Sequence, residues 1–140
     1  MQDFTVFIAK HLELFYSLAA ILIALTFIEF LRTKRSNFYV GPNEAVQLIN
    51  KHKAVVIDIR SKDTYGTGHI VDSLNISAQD LTNKPQKLDK YKGKPVILVC
   101  NTGMQTQKIA ASLKKQGYTA FSLSGGMRAW SEAQLPLVKE

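Results

Sequence analysis

The run LFYSLAAILIALTFI, residues 14–28, carries no charged side chain. It sets the plan of the whole chain, because a stretch this apolar must leave water. Flanking apolar residues extend it from Leu12 to Leu31, with Glu13 and Glu29 near its ends. A helix needs roughly 20 mostly apolar residues to cross a bilayer core, and a charge costs less at the interface than at the centre. A buried soluble helix would keep a polar stripe, and residues 14–28 have none wide enough. A cleaved signal peptide would show a small-residue cleavage site after the run, whereas EFLRTKRS follows here. Residues 12–31 therefore read as one transmembrane helix. Arg32, Lys34 and Arg35 follow it, while only Lys10 and the α-amine precede it. The positive-inside bias then places the short N-terminus, residues 1–11, outside and the C-terminal part in the cytoplasm. Residues 32–37 read as a basic juxtamembrane linker and residues 38–140 as one domain.

The charge and the cysteine count narrow that domain further. Residues 1–35 carry Lys10, Arg32, Lys34 and Arg35 against Asp3, Glu13 and Glu29, so +6 of the net +7 belongs to the rest. Such an excess favours acidic lipid surfaces, nucleic acid or anionic substrates. Lys84, Lys87, Lys90, Lys92 and Lys94 tempt a nucleic-acid reading, but Asp89 and Pro85 dilute them and only Tyr91 lies among them. With no arginine–aromatic interleaving and no reader motif, they read as a solvated surface, and no nucleic acid is expected. Cys100 is the single cysteine. That excludes an internal disulfide and a multi-cysteine zinc site.

From residue 36 the hydrophobic pattern changes. PNEAVQLINK places Pro42 at a first helical turn, with Ala45, Val46, Leu48 and Ile49 apolar. AVVIDI, residues 54–59, and PVILVC, residues 95–100, are short apolar runs suited to strands covered on both faces. SLNI, residues 73–76, and AFSL, residues 120–123, are further strand candidates. TQKIAASLKKQ, residues 106–116, aligns Ile109, Ala110 and Leu113 on one helical face before Gly117. GGMRAWSEAQL reads as a glycine turn, at Gly125 and Gly126, feeding a helix that buries Trp130. Strand–helix alternation with short connections argues an α/β fold with a mainly parallel sheet.

In such sheets, sites form at the carboxyl ends of strands, and Cys100 stands at one. The amides of the next loop and first helical turn lack partners within the helix, and the helix dipole adds positive character. A thiol there is expected to be partly ionised near neutral pH. Gly103 lets the loop turn tightly and aim its amides inward. On position alone, Cys100 is equally well a small buried hydrophobe closing a strand.

Three segments in order tip that balance. VVIDIRSKDTYGTGHIVDSLNI, residues 55–76, VCNTGMQT, residues 99–106, and SLSGGMRAW, residues 122–130, resemble the successive signatures of the rhodanese-homology family. The likeness covers about residues 38–137, and the layout is similar to that of small single-pass inner-membrane rhodanese-like proteins of Gram-negative bacteria. The resemblance implies a five-stranded, mainly parallel sheet flanked by helices. It implies sulfurtransferase chemistry through a Cys100 persulfide, with Asn101, Thr102, Gly103, Met104, Gln105 and Thr106 as the active-site loop. It implies a sulfane-sulfur donor and a thiol acceptor, small molecule or protein, and neither metal nor organic cofactor.

Departures from the family pattern set limits. Gln105 stands where the family keeps an arginine, which would offer an oxyanion a bidentate fork. No residue from 101 to 107 is charged, and Lys108 is the nearest cation in sequence. Thiosulfate turnover is therefore expected to be weak. Thr106 occupies the position at which related phosphatases place their phosphate-cradling arginine, so phosphatase activity is not expected. Thr64 replaces an acid that usually precedes the family's aromatic, with Asp63 one position earlier, which weakens the case for an Arg60 salt bridge there. Asp58 and Arg60 either orient the loop or lock the fold. His69 is read as structural, hydrogen-bonding nearby backbone or Asp58. His11 and His52 carry no signal. A second reading remains beside the enzyme: a non-catalytic module that presents the fold to membrane-protein or sulfur-relay partners.

Overall fold

The computed structural model describes the backbone of residues 2–36 and 38–140, and the side chains of residues 4–32 and 38–140. Lys34 and Arg35, read above as part of the basic flank, lie outside the described side chains. The chain divides into two compact units, Met1–Ser36 and Asn37–Glu140.

The first unit holds α1 (Gln2–Lys10) and α2 (Leu12–Ser36). Leu12–Arg32 has a mean hydropathy of 2.2 and none of it is buried by protein, so this helix is long and apolar enough to cross a membrane. Two boundaries differ from the sequence reading. The presumed linker from residue 32 continues the helix as far as Ser36, and the N-terminal segment forms a helix of its own. Neither stretch contains a proline or glycine to stop a helix.

The second unit is a five-stranded parallel sheet with helices on both faces. Its elements run β1 (Tyr39–Val40), α3 (Pro42–His52), β2 (Val55–Asp58), α4 (Lys62–Gly66), β3 (His69–Ile70), β4 (Leu74–Asn75) and α5 (Ala78–Asn83). A 3-10 turn (Pro85–Tyr91) leads to β5 (Val96–Val99), α6 (Met104–Lys115), β6 (Ala120–Leu123), α7 (Gly126–Glu132) and β7 (Leu137–Val138). Strand order is β1-β6-β5-β2-β4, while β3 and β7 form a separate antiparallel pair. All four residues of β5 are buried, as a central strand covered on both faces requires.

Alternate residues of each strand feed two cores. Ile57, Leu98 and Ala120 pack under α5 and α6 with Leu81, Leu88 and Leu113. Val56, Ile97 and Leu123 pack under α3 and α7 with Ala45, Met127 and Trp130. Each fully buried Leu or Ile contributes about 1.5–3 kcal/mol relative to an exposed one. Ser61 caps α4 by accepting the Thr64 amide at 3.3 Å, and Ser77 caps α5 by accepting that of Asp80 at 3.1 Å. The parallel arrangement puts every strand's carboxyl end on one side, with the Cys100 loop among them.

Candidate active site

Cys100 follows directly on β5 and is 4% exposed. The loop after it turns through Gly103, whose φ of 84° is left-handed and begins α6. A side chain there would be strained, and its Cβ would come within 2.8 Å of the Leu123 carbonyl. The loop is held from below by α7. The Met127 amide donates to the Cys100 carbonyl at 2.8 Å, and the Arg128 amide to that of Asn101 at 3.3 Å. Gly126, at φ 57°, lies so close to those two carbonyls that a Cβ has no room. The first amides of α7 therefore brace the loop backbone rather than face the thiol.

The Gly103 amide donates to Cys100 Sγ at 3.0 Å. Burial pushes the thiol up. The amides of Gln105, Thr102 and Gly103, joined by the Thr106 hydroxyl, outweigh it and hold Cys100 below the ordinary thiol value. Thr106 is wholly buried and sits 3.8 Å from the sulfur. Its Oγ1 donates to the Gly103 carbonyl at 3.0 Å and lies 2.6 Å from Ser122 Oγ. Ser122 also reaches the Gly103 carbonyl at 3.4 Å. With Ser122 available to that carbonyl, the Thr106 proton can turn toward a thiolate without leaving an acceptor bare.

The sulfur lies at a cavity of about 570 Å³ lined by Cys100, Asn101, Thr102, Met104 and Gln105 on one side. Ile59, Arg60, Ser61 and Thr64 line the other. Arg60 is the only charged residue in that lining, and it is already engaged. Its Nε reaches both Asp58 carboxylate oxygens at 2.9 Å, and its Nη2 reaches Asp58 Oδ2 at 2.6 Å and the Gly68 carbonyl at 2.7 Å. Asp58 and the Arg60 side chain are 1% and 7% exposed, so this is a buried pair. The Thr64 substitution is thus immaterial to Arg60, whose partner is Asp58. Asn75 ties the same corner by donating to the carbonyls of Asp58 at 3.1 Å and Arg60 at 2.9 Å.

His69 is buried, stacks on Tyr65 at 3.8 Å between ring centroids, and its Nδ1 is 2.9 Å from the Tyr65 carbonyl. Tyr65 in turn donates to the Ser73 carbonyl at 2.6 Å. The structure thus gathers Cys100 and its loop with Arg60 at one cavity, while Asp58 and His69 stay outside that lining. Sequence reasoning missed Ser122 and Ser61. The alternation of AFSL, which places Ser122 on the face opposite Leu123 and beneath α6, was the available signal for the first. The arrangement places a buried thiol at the cavity wall, with loop amides that favour its ionised form, and a thiol so placed suits nucleophilic chemistry.

Comparisons with known proteins bear on the family and the fold. The family model for the rhodanese-like domain matches residues 41–133. The protein YibN of Escherichia coli is 36% identical over 141 residues, covering 99% of both chains. The thiosulfate sulfurtransferase GlpE of Coxiella burnetii is 36% identical over 88 residues, covering 62% of this chain and 80% of its own. A rhodanese-related protein from Thermoplasma volcanium superposes with a TM-score of 0.67 at 23% identity, over 74% of this chain and 99% of its own.

Proposed function

The chain belongs to the rhodanese-like domain family, and on that premise we propose that it is a membrane-anchored sulfurtransferase or persulfide carrier with Cys100 as the sulfur-carrying residue. The observation that carries the reading is the Cys100 sulfur receiving the Gly103 amide at the base of the cavity. The similarity to a thiosulfate sulfurtransferase supports the same chemistry.

The Cys100 thiolate attacks the outer sulfur of a sulfane donor. A new S–S bond forms, the donor's bond to that sulfur breaks, and the leaving group departs with the electron pair. An acceptor thiolate then attacks the terminal sulfur, and Cys100 leaves as thiolate. Splitting the transfer through a covalent intermediate replaces one hard step with two easier ones. The loop amides stabilise negative charge on sulfur at both stages.

Gln105 brings no charge to the cavity, and the Arg60 guanidinium is bound to Asp58. This supports a persulfide donor over thiosulfate, whose dianion would ask for a free cation. Met104, 74% exposed at the rim, offers an apolar contact suited to a protein donor or acceptor. The apolar α2 and the basic residues after it support a single-pass anchor in a bacterial inner membrane with the domain in the cytoplasm.

Intact mass after incubation with a sulfane donor tests the reading. The wild-type chain should gain one sulfur atom that dithiothreitol removes, and Cys100→Ser should gain none. A wild-type chain that gains no sulfur, yet still captures partners from membranes, would favour the non-catalytic module instead.

A further inference from the structure

The amino ends of the strands carry a second feature, on the side of the sheet opposite the Cys100 loop. Three connections meet there. Lys51 and Lys53 surround the end of α3 before β2, Lys92 and Lys94 precede β5, and Lys114 and Lys115 end α6. All six are exposed. Their acidic neighbours are few. Asp89 accepts from Tyr118 Oη at 2.6 Å and pairs with Lys92 at 3.2 Å, and Asp72 lines a cavity with Asn50 beside α3. The carboxyl ends are balanced by contrast, with Arg60 against Asp58 and Lys62 against Asp63. The domain is therefore polarised from end to end, and its positive end is the one that holds no chemistry.

The chain enters the domain at that same end. Phe38 leads into β1 from its amino side, and Lys114 Nζ lies 4.7 Å from the centre of its ring. Only Asn37 and Phe38 separate α2 from β1. We propose that this lysine end docks on anionic phospholipid headgroups and so holds the Cys100 cavity toward the aqueous phase. The proposal rests on the membrane-anchor reading above. A lipid surface fits better than nucleic acid for two reasons. The six positions hold no arginine to fork a phosphate, and of the aromatic rings beside them Tyr118 is buried while Phe38 and Tyr91 are half-buried with a lysine ammonium over each. Compact lysine charges on three separate connections suit a diffuse layer of headgroups.

The full chain in lipid nanodiscs provides the test, with zwitterionic lipid in one set and a share of phosphatidylglycerol in the other. Hydrogen exchange of backbone amides in residues 50–55, 91–96 and 114–119 is the readout. Anionic discs should slow exchange there several-fold and leave residues 100–106 unchanged. The protection should vanish at 1 M salt, where the Debye length is about 3 Å. It should also vanish in a variant with K51Q, K53Q, K94Q, K114Q and K115Q, whose sulfur loading stays at the wild-type level. Equal exchange in both discs overturns the proposal, as does protection that survives the substitutions. Protection appearing in zwitterionic discs only on adding polyglutamate would also overturn it, assigning the surface to an acidic protein. A chain that fails to enter either disc sinks the anchor reading by itself. Docking is then read by sedimentation with phosphatidylglycerol vesicles, where absent salt-sensitive binding overturns it too.

Discussion

Two buried polar clusters stand side by side at the carboxyl end of the sheet, and they are built in opposite ways. Around Asp58, every strong group is closed on another: Arg60 takes both carboxylate oxygens and the Gly68 carbonyl, and His69 and Tyr65 bond backbone carbonyls. Around Cys100, amides and a hydroxyl converge on one sulfur, with no ion pair to it among the described residues. A charge that is paired and hydrogen-bonded locks structure. Donors that converge on an ionisable atom stabilise its charged form and leave its lone pairs for chemistry. On the proposed function, the difference separates the part of the site that holds shape from the part that would react.

Removing one partner of the closed cluster gives the largest effect. Asp58→Ala leaves the Arg60 guanidinium buried without its counter-charge and should cost about 3–5 kcal/mol in urea unfolding. Sulfur loading per folded molecule should stay unchanged. If loading falls while the unfolding midpoint holds, the pair orients the loop and the contrast collapses.

The open cluster should respond the other way. Gln105→Arg adds a fork at the cavity wall, and a charge-assisted hydrogen bond contributes about 1.5–3 kcal/mol. Thiosulfate kcat/KM should rise about tenfold or more, with little change in loading from a neutral persulfide. No gain would show that charge is not what limits thiosulfate. Thr106→Val keeps the shape but removes the hydroxyl beside the sulfur. Loss of roughly 1 kcal/mol of thiolate stabilisation should slow loading about fivefold at neutral pH. The sign follows from the cause: the hydroxyl helps hold the thiol down, so the midpoint of Cys100 alkylation against pH should move up. Stability should change little, because Ser122 remains within 3.4 Å of the Gly103 carbonyl.

The same contrast explains what was legible in the sequence. The strands at 55–58, 96–99 and 120–123 and the helices α3, α6 and α7 were readable because a covered parallel sheet demands continuous apolar runs, and its helices demand one apolar face. The cysteine loop was readable because its parts lie within seven consecutive residues, from Cys100 to Thr106. Of the four two-residue strands, only β4 was read, as part of the apolar SLNI; β1, β3 and β7 are too short for a period to show. Ser122 was missed because its meeting with Thr106 joins residues 16 apart in sequence, which only the fold brings together. Asp58 and Arg60 were found, but the closure of the guanidinium on Asp58 and the Gly68 carbonyl is visible only in the fold.

The smallest effect lies at the other end of the sheet, in a polar pair whose carboxylate is open to water and which is not aimed at a reactive atom. Tyr118 donates to Asp89 Oδ1 at 2.6 Å and to the Pro85 carbonyl at 3.1 Å. The Tyr118 bond, reinforced by Lys92, holds the Asp89 carboxyl below its usual value, and Asp89 in turn pushes the Tyr118 hydroxyl up to about 12. Both shifts stabilise the fold near neutral pH, and their dependences on pH run in opposite directions. The Asp89 contribution is present above the ordinary carboxylate value, about 3.9, and is lost as pH falls through its lower folded value. The Tyr118 contribution is complete below the ordinary phenol value, about 10, and is lost as pH rises toward about 12. Tyr118→Phe should therefore lower the unfolding midpoint slightly and evenly between about pH 5 and 9, with the gap closing on both flanks. Sulfur loading should not change at any pH, since the pair stands at the amino ends and Cys100 at the carboxyl end. A variant that shifted the Cys100 alkylation profile would mean that the two ends of the sheet are coupled through α6, and the separation of shape from chemistry would have to be redrawn along that helix.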